Sequence, residues 1–266
     1  MVRQAKTPPQ RIGSHPPAPA APEAVGAVLD RTIPGPDGAV LAVRVYEPRT
    51  VDPAAGSSPA PARRRPALVY FLGQDATHGY PETGDCVCRA LTNAAYCVTV
   101  AVRHRCAPAA PFPDVVEDCH AAMGWVAGHA AELGIDPARI AVGGHGPGGA
   151  LAAAVALRAR DTGPTLRHQL LLCPQAEPAA GGAETPSLAG LPETTLVTAE
   201  LDPLREQAEQ HALMLLASGV AVDVRRYPGV SQGFFTRPAV YRGAREAQSY
   251  AAARLAAAFA QAESGA

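Results

Sequence analysis

Between Ala138 and Asp161 the chain reads ARIAVGGHGPGGALAAAVALRARD. A short apolar run enters a segment of five glycines and one proline, and leaves it through an alanine-rich stretch. Glycine admits backbone conformations and close approaches closed to other residues. Proline suits the first position of a helix, where its missing N–H is not needed. The segment therefore reads as strand, sharp turn and helix. A strand without polar alternation needs cover on both faces, so the unit asks for an α/β architecture.

The rest of the chain repeats that unit. ALVYFL (67–72), CVTVAV (97–102), RIAVG (139–143), QLLLC (169–173), TTLVTAE (194–200) and AVDVRRY (221–227) read as strands. Between them, helices are expected around 85–95, over 111–134 ending at Gly134, after the glycine turn, over 202–219 and over 245–263. Near the start, AVLDRTI and AVLAVRVYEP flank the turn PGPDG and read as a hairpin. Strand-then-helix repeats imply a mostly parallel, doubly wound sheet of about eight strands with right-handed crossovers, the hairpin adding antiparallel strands at one edge. Residues 25–266 are expected to form a single domain. Residues 1–24, rich in proline, are expected to be disordered or loosely packed, and the Pro/Ala/Ser/Arg stretch 49–66 to be an exposed linker.

Composition narrows the function. A net charge of −1 and a single basic run, ARRR at 62–65, argue against nucleic acid or a charged membrane surface. No apolar run approaches the ~18 residues of a membrane span, and the first residues lack the apolar core of a secretory signal. A cytoplasmic protein is the expectation, with its six scattered cysteines as free thiols. Cys86 and Cys88 form a C-x-C near His78, His104 and Cys106. Residues two apart on a helix point to different faces, so neither a metal nor any other cofactor is expected.

Several blocks, in order, carry a resemblance: IPGPDG, RVYEP, PALVYF, APAAPFPDVVED, GIDPARIAVGG, LVTAELDPLR and RRYPG…GFF. With them the chain resembles the hormone-sensitive-lipase-like branch of the α/β-hydrolase fold, the bacterial carboxylesterases, from about Arg31 to Phe235. That resemblance implies a nucleophile elbow at the strand–helix turn and hydrolysis by a Ser-His-Asp triad, with backbone N–H groups holding the oxyanion.

Against the family pattern, the serine position is Gly146, the histidine position is Gln232, and the acid position keeps Asp202. The oxyanion loop reads Leu72, Gly73, Gln74, Asp75, and the residue after the elbow is Pro147, which has no N–H to offer. His145 replaces the family's carboxylate before the serine. With Arg103, it makes the region more basic, which drift explains as well as an anionic ligand does. The segment 174–193 is much shorter than the family's cap insertion, so the cap is expected to be reduced or absent and the pocket mouth open.

These departures lead to the expectation of a non-hydrolytic enzyme, a lyase, cyclase or isomerase working by acid/base chemistry. Its substrate would be a small or carrier-tethered metabolite, in biosynthesis of a natural product. The candidate groups are Asp75, His78, His145 and Asp202. The alternatives are a catalytically dead homologue that binds a small molecule or a protein, and a weak residual hydrolase using Ser231 or Thr77. A homodimer or a partner subunit is the expected cover for an open pocket.

Overall fold

The computed structural model describes residues 3–4, 22–49, 64–73, 82–105, 110–175 and 186–261. Among the described residues, nine strands form one sheet: β1 (Arg3–Gln4), β2 (Ala27–Pro34), β3 (Val40–Glu47), β4 (Arg65–Phe71), β5 (Val98–Arg103), β6 (Ile135–His145), β7 (Leu166–Leu172), β8 (Glu193–Ala199) and β9 (Val222–Tyr227). Five helices alternate with them: α1 (Glu82–Ala94), α2 (Phe112–Gly128), α3 (Pro147–Thr162), α4 (Arg205–Ala217) and α5 (Arg242–Gln261). The spatial order is β1-β9-β8-β7-β6-β4-β5-β3-β2. β4 to β9 pair in parallel, whereas β3 is antiparallel to both β2 and β5. This is the expected α/β-hydrolase architecture, including the leading hairpin. In that hairpin's turn, Asp37 and Gly38 both take positive φ (53° and 76°).

Strand alternation divides the interior into two layers. Ala67, Val69 and Phe71 of β4 face the layer under α2, α3 and α4, while Leu68 and Tyr70 face the layer under α1 and α5. Because both faces are covered, every one of these β4 residues is apolar and buried. The central helix α3 buries Gly148, Gly149, Ala150, Ala152, Ala156 and Ala159 against the sheet. Small side chains bring its axis close, and that closeness shapes the turn before it.

Some boundaries differ from the sequence expectation. α2 stops at Gly128, and residues 129–134 turn before Gly134 (φ 64°) opens β6. β6 begins at Ile135, four residues before the apolar run, because Ile135 pairs with Arg65 ahead of a register shift. Arg3–Gln4, in the stretch expected to be loose, lies parallel to Arg225–Arg226 at the edge of β9. The other residues of 1–21, and the linker residues 50–63, lie outside the described residues. Among the described residues, no helix stands between β7 and β8, where a cap insertion would sit. Among the described residues, no helix is long and apolar enough to cross a membrane.

Candidate active site

In parallel sheets, sites form beyond the C-terminal ends of the strands. There β4, β6, β7 and β8 deliver Leu72, His145, Cys173 and Asp202. β6 ends at His145, Gly146 makes the bend at φ 57°, ψ −120°, and α3 starts at Pro147. The neighbouring glycines are steric requirements. A Cβ on Gly144 would stand 2.2 Å from the Gly148 carbonyl oxygen, and one on Gly148 only 2.0 Å from the Phe71 carbonyl oxygen. Gly146 is different, since a Cβ there would meet nothing closer than Gln232 Nε2, at 3.4 Å. The bend thus keeps the shape of a nucleophile elbow, with room for a side chain it does not carry.

Backbone hydrogen bonds hold that shape. Gly146 N–H donates to Leu172 O (2.9 Å), and its carbonyl accepts from Gly149, Ala150 and Gln175. Pro147, with no N–H, packs its ring against Gly73: a Cβ on Gly73 would lie 3.4 Å from Pro147 Cδ. The start of the 72–75 loop and the start of α3 are therefore adjacent, with a pyrrolidine where a backbone donor would help hold an oxyanion.

Gln232 opens a short 3-10 turn, Gln232–Phe234. His145 is half-buried, and its Nε2 lies 2.9 Å from the Gln232 backbone carbonyl. That nitrogen must be the N–H donor. Burial pushes the His145 pKa below the ordinary imidazole value, against opposing pulls from the Gln232 carbonyl and the Asp202 charge. His145 is therefore neutral at pH 7 and adds no positive charge, so the basic pocket expected at this position does not form through it.

Asp202 is buried, at 7% exposed. Its Oδ1 accepts from the Leu204 N–H (2.9 Å), and the neighbouring Leu201 N–H donates to Val230 O (2.9 Å). The loop after β8 is thereby fastened to the loop that leads into Gln232. The structure bonds His145 to the Gln232 backbone carbonyl and sets the Gln232 amide beside the open face of Gly146. Leu72, Gly73 and Pro147 line the adjacent side. Gln74, Asp75, Thr77 and His78 lie outside the described residues. Ser231 has a Tyr241 hydroxyl 3.5 Å away and no base as a partner among the described residues.

One residue gained a role that its sequence position did not suggest. His104, raised above only as a neighbour of the cysteines, is buried, with one ring nitrogen 2.7 Å from the Leu72 carbonyl and the other 2.6 Å from that of Arg105. It fastens the end of β5 to the root of the 72–75 loop. Beside it, Arg105 grips the fully buried Asp118 carboxylate with two side-chain bonds and its own backbone N–H. An imidazole between two charged residues was the available signal, but its partners are backbone atoms that no sequence pattern shows. Cys86 bonds its thiol to Thr236 O, and no cluster of three His, Cys, Asp or Glu side chains occurs among the described residues.

Comparison with known proteins fits this geometry. The model of a family described as alpha/beta hydrolase fold matches residues 68–186 and 176–236. Esterase LipI of Mycobacterium tuberculosis is 32% identical, over 90% of this chain and 83% of that protein. An arylesterase of Saccharolobus solfataricus is 30% identical, over 70% and 73% respectively. Among solved structures, an esterase from Pyrobaculum calidifontis superposes with a TM-score of 0.77 at 33% identity, covering 88% of this chain and 87% of that one. The carboxylesterase EstE1, cloned from a metagenomic library, gives 0.78 at 33% identity, covering 90% and 91%. The chain belongs to the α/β-hydrolase family, in its hormone-sensitive-lipase-like carboxylesterase branch.

These relatives overturn the expectation of a lyase, cyclase or isomerase. Proteins similar over most of the chain are named esterases and carboxylesterases, which points to hydrolysis. Nothing supports a place in biosynthesis or a non-hydrolytic reaction. The physical reason for the error is specific. The expectation treated missing proton-transfer groups as evidence for a different reaction, whereas binding and electrostatic contributions to hydrolysis survive the loss of a triad.

Proposed function

We propose that this protein is a slow hydrolase of carboxylic esters, in which hydroxide from solvent, rather than a side chain, attacks the acyl carbon. One observation carries the reading: Gly146 keeps the elbow bend with an open space beside it, faced by the Gln232 amide 3.4 Å from where a Cβ would stand. An acyl carbon seated there finds no side chain on residue 146 to attack it. The Gln232 N–H can donate to the acyl oxygen, while its neutral amide takes no proton at ordinary pH. Hydroxide adds to the carbonyl, the acyl C–O bond breaks, and the alkoxide takes a proton from water.

The oxyanion hole and binding together sustain roughly 10³- to 10⁴-fold acceleration in triad enzymes stripped of a member, and Pro147, with no N–H, takes one donor from that hole. The expected kcat/KM on a short p-nitrophenyl ester is therefore above that of buffer but at least ~10⁴-fold below that of a triad esterase. The rate should rise tenfold per pH unit above 7, without the plateau that an imidazole base imposes. Stopped-flow traces should show no burst, and a fluorophosphonate should leave the protein unlabelled. The double variant G146S/Q232H should gain both a burst and labelling. Adding P147A, which restores an N–H, should raise its rate by a further ~10²-fold. A wild-type rate equal to buffer, or stoichiometric labelling of the wild type, would refute the proposal.

A further inference from the structure

The Leu72–Gly73 peptide stands where the end of β4 meets the bend, and a histidine sets it from one side. β4 runs between β5 and β6 in the sheet. Toward β5, the Leu72 N–H donates to the Val102 carbonyl (3.3 Å), and the Leu72 carbonyl meets Nε2 of the buried His104 ring at 2.7 Å. A carbonyl oxygen only accepts, so His104 Nε2 carries the proton of that bond. The ring is itself held from behind. Its Nδ1 lies 2.6 Å from the Arg105 carbonyl, so both contacts are filled when each ring nitrogen holds a proton. Arg105 in turn is tied to the fully buried Asp118 of α2 by its side chain and its backbone N–H.

In a planar trans peptide the C=O and the N–H point in opposite directions. Drawing the Leu72 carbonyl toward β5 therefore turns the Gly73 N–H toward β6, the side of the elbow. Gly73 lies against that elbow: a Cβ on it would stand 3.4 Å from Pro147 Cδ and 3.7 Å from the His145 carbonyl oxygen. Among the described residues, no backbone carbonyl accepts from the Gly73 N–H. The donor missing at Pro147 is thus matched by an uncommitted one on the adjoining loop.

We propose that His104 is a positioning residue for ester hydrolysis: by holding the Leu72 carbonyl, it aims the Gly73 N–H at the acyl oxygen, beside the Gln232 amide. The inference rests on the ester reading and names what sets its geometry. The imidazole does not touch the substrate. It fixes the direction of a donor whose bond strengthens as the acyl oxygen takes on charge.

The test uses the full chain and two variants. H104F keeps a flat ring without an N–H, and H104Q keeps a side-chain amide that can donate to the Leu72 carbonyl. On p-nitrophenyl acetate, H104F should lose about tenfold or more in kcat with little change in KM, while H104Q should keep most of the rate. Inhibition by p-nitrophenyl methylphosphonate, a stable anion shaped like the hydroxide adduct, should weaken in H104F by a similar factor, which a smaller folded fraction alone would not produce. In the wild type, where no substitution can disturb folding, the Gly73 amide resonance should move as the phosphonate binds. An unchanged kcat and phosphonate affinity in H104F, or a Gly73 resonance unmoved by the phosphonate, would overturn the positioning role and leave the ester reading standing. A wild-type rate equal to buffer would overturn the ester reading itself, and the positioning role with it.

Discussion

The two ends of the parallel strands hold opposite kinds of residue. At the N-terminal ends, the interior is polar. His168 on β7 bonds Thr195 on β8 (2.9 Å), Gln169 bonds Thr194 (2.7 Å), and Arg254 of α5 reaches Glu193 and Asp223. At the C-terminal ends, where the family's chemistry takes place, the bend is made of glycines and a proline, and its contacts are backbone atoms. Side chains capable of proton transfer stand at both ends, but those at the base bond one another across strands, whereas His145 at the bend is tied to a backbone carbonyl. A histidine's type alone says little about its task. His168 is a brace, and His145 is a clasp on the loop that carries Gln232.

That contrast can be broken from either end, and the base of the sheet should give the larger effect. Burial, with help from Arg254 and against Asp223, pushes the His168 pKa down to about 3. The unfolded chain therefore binds a proton that the folded chain refuses. Stability is complete above the ordinary imidazole value near 6.5 and is withdrawn as pH falls from there toward 3, by roughly 4–5 kcal/mol in all. Urea midpoints measured from pH 8 to pH 3.5 should show this slope in the wild type and much less of it in H168Q. Equal slopes would show that His168 is not the brace described.

At the elbow, the backbone should matter more than the vacancy. G148A places a Cβ 2.0 Å from the Phe71 carbonyl oxygen, between an interior strand and the helix packed on it, and neither can yield cheaply. A loss of roughly 3 kcal/mol or more is expected by chemical denaturation. G146A should cost less, roughly 1–3 kcal/mol, from its backbone conformation alone (φ 57°, ψ −120°), because its Cβ meets only ordinary contact. If G146A proved as costly as G148A, the open space beside the bend would not be open.

Most of the fold is readable because β4 and β5 are near-continuous apolar runs, β6 and β7 carry apolar runs of three or more residues, and glycine or proline stands near the helix boundaries. The misreadings have local causes. The apolar spacing continues past Gly128 and predicts α2 as far as Gly134, yet the Trp125 and His129 rings stack 4.3 Å apart at its end and the chain turns there. The paired Gln169–Thr194 and His168–Thr195 bonds join residues far apart in sequence, and no periodicity announces them. The elbow was legible from its glycines, since their spacing is a steric demand of one turn. Its chemistry was not: Gly146 and Gln232 were read as evidence of a changed reaction, and absent atoms cannot say what reaction replaces theirs. The bracing role of His104 is not legible in the sequence, because its partners are two backbone carbonyl groups.

Pro147 also bears on the history of such a chain. Regaining a triad's power requires a hydroxyl at 146, an imidazole at 232 and an amide hydrogen at 147. Any one of these alone leaves the others missing. The proline also fixes the first turn of α3, so its replacement loosens a helix start before it benefits catalysis. A hydroxyl placed at 146 without an imidazole at 232 is a nucleophile without a base, so the three substitutions act as a unit rather than one by one.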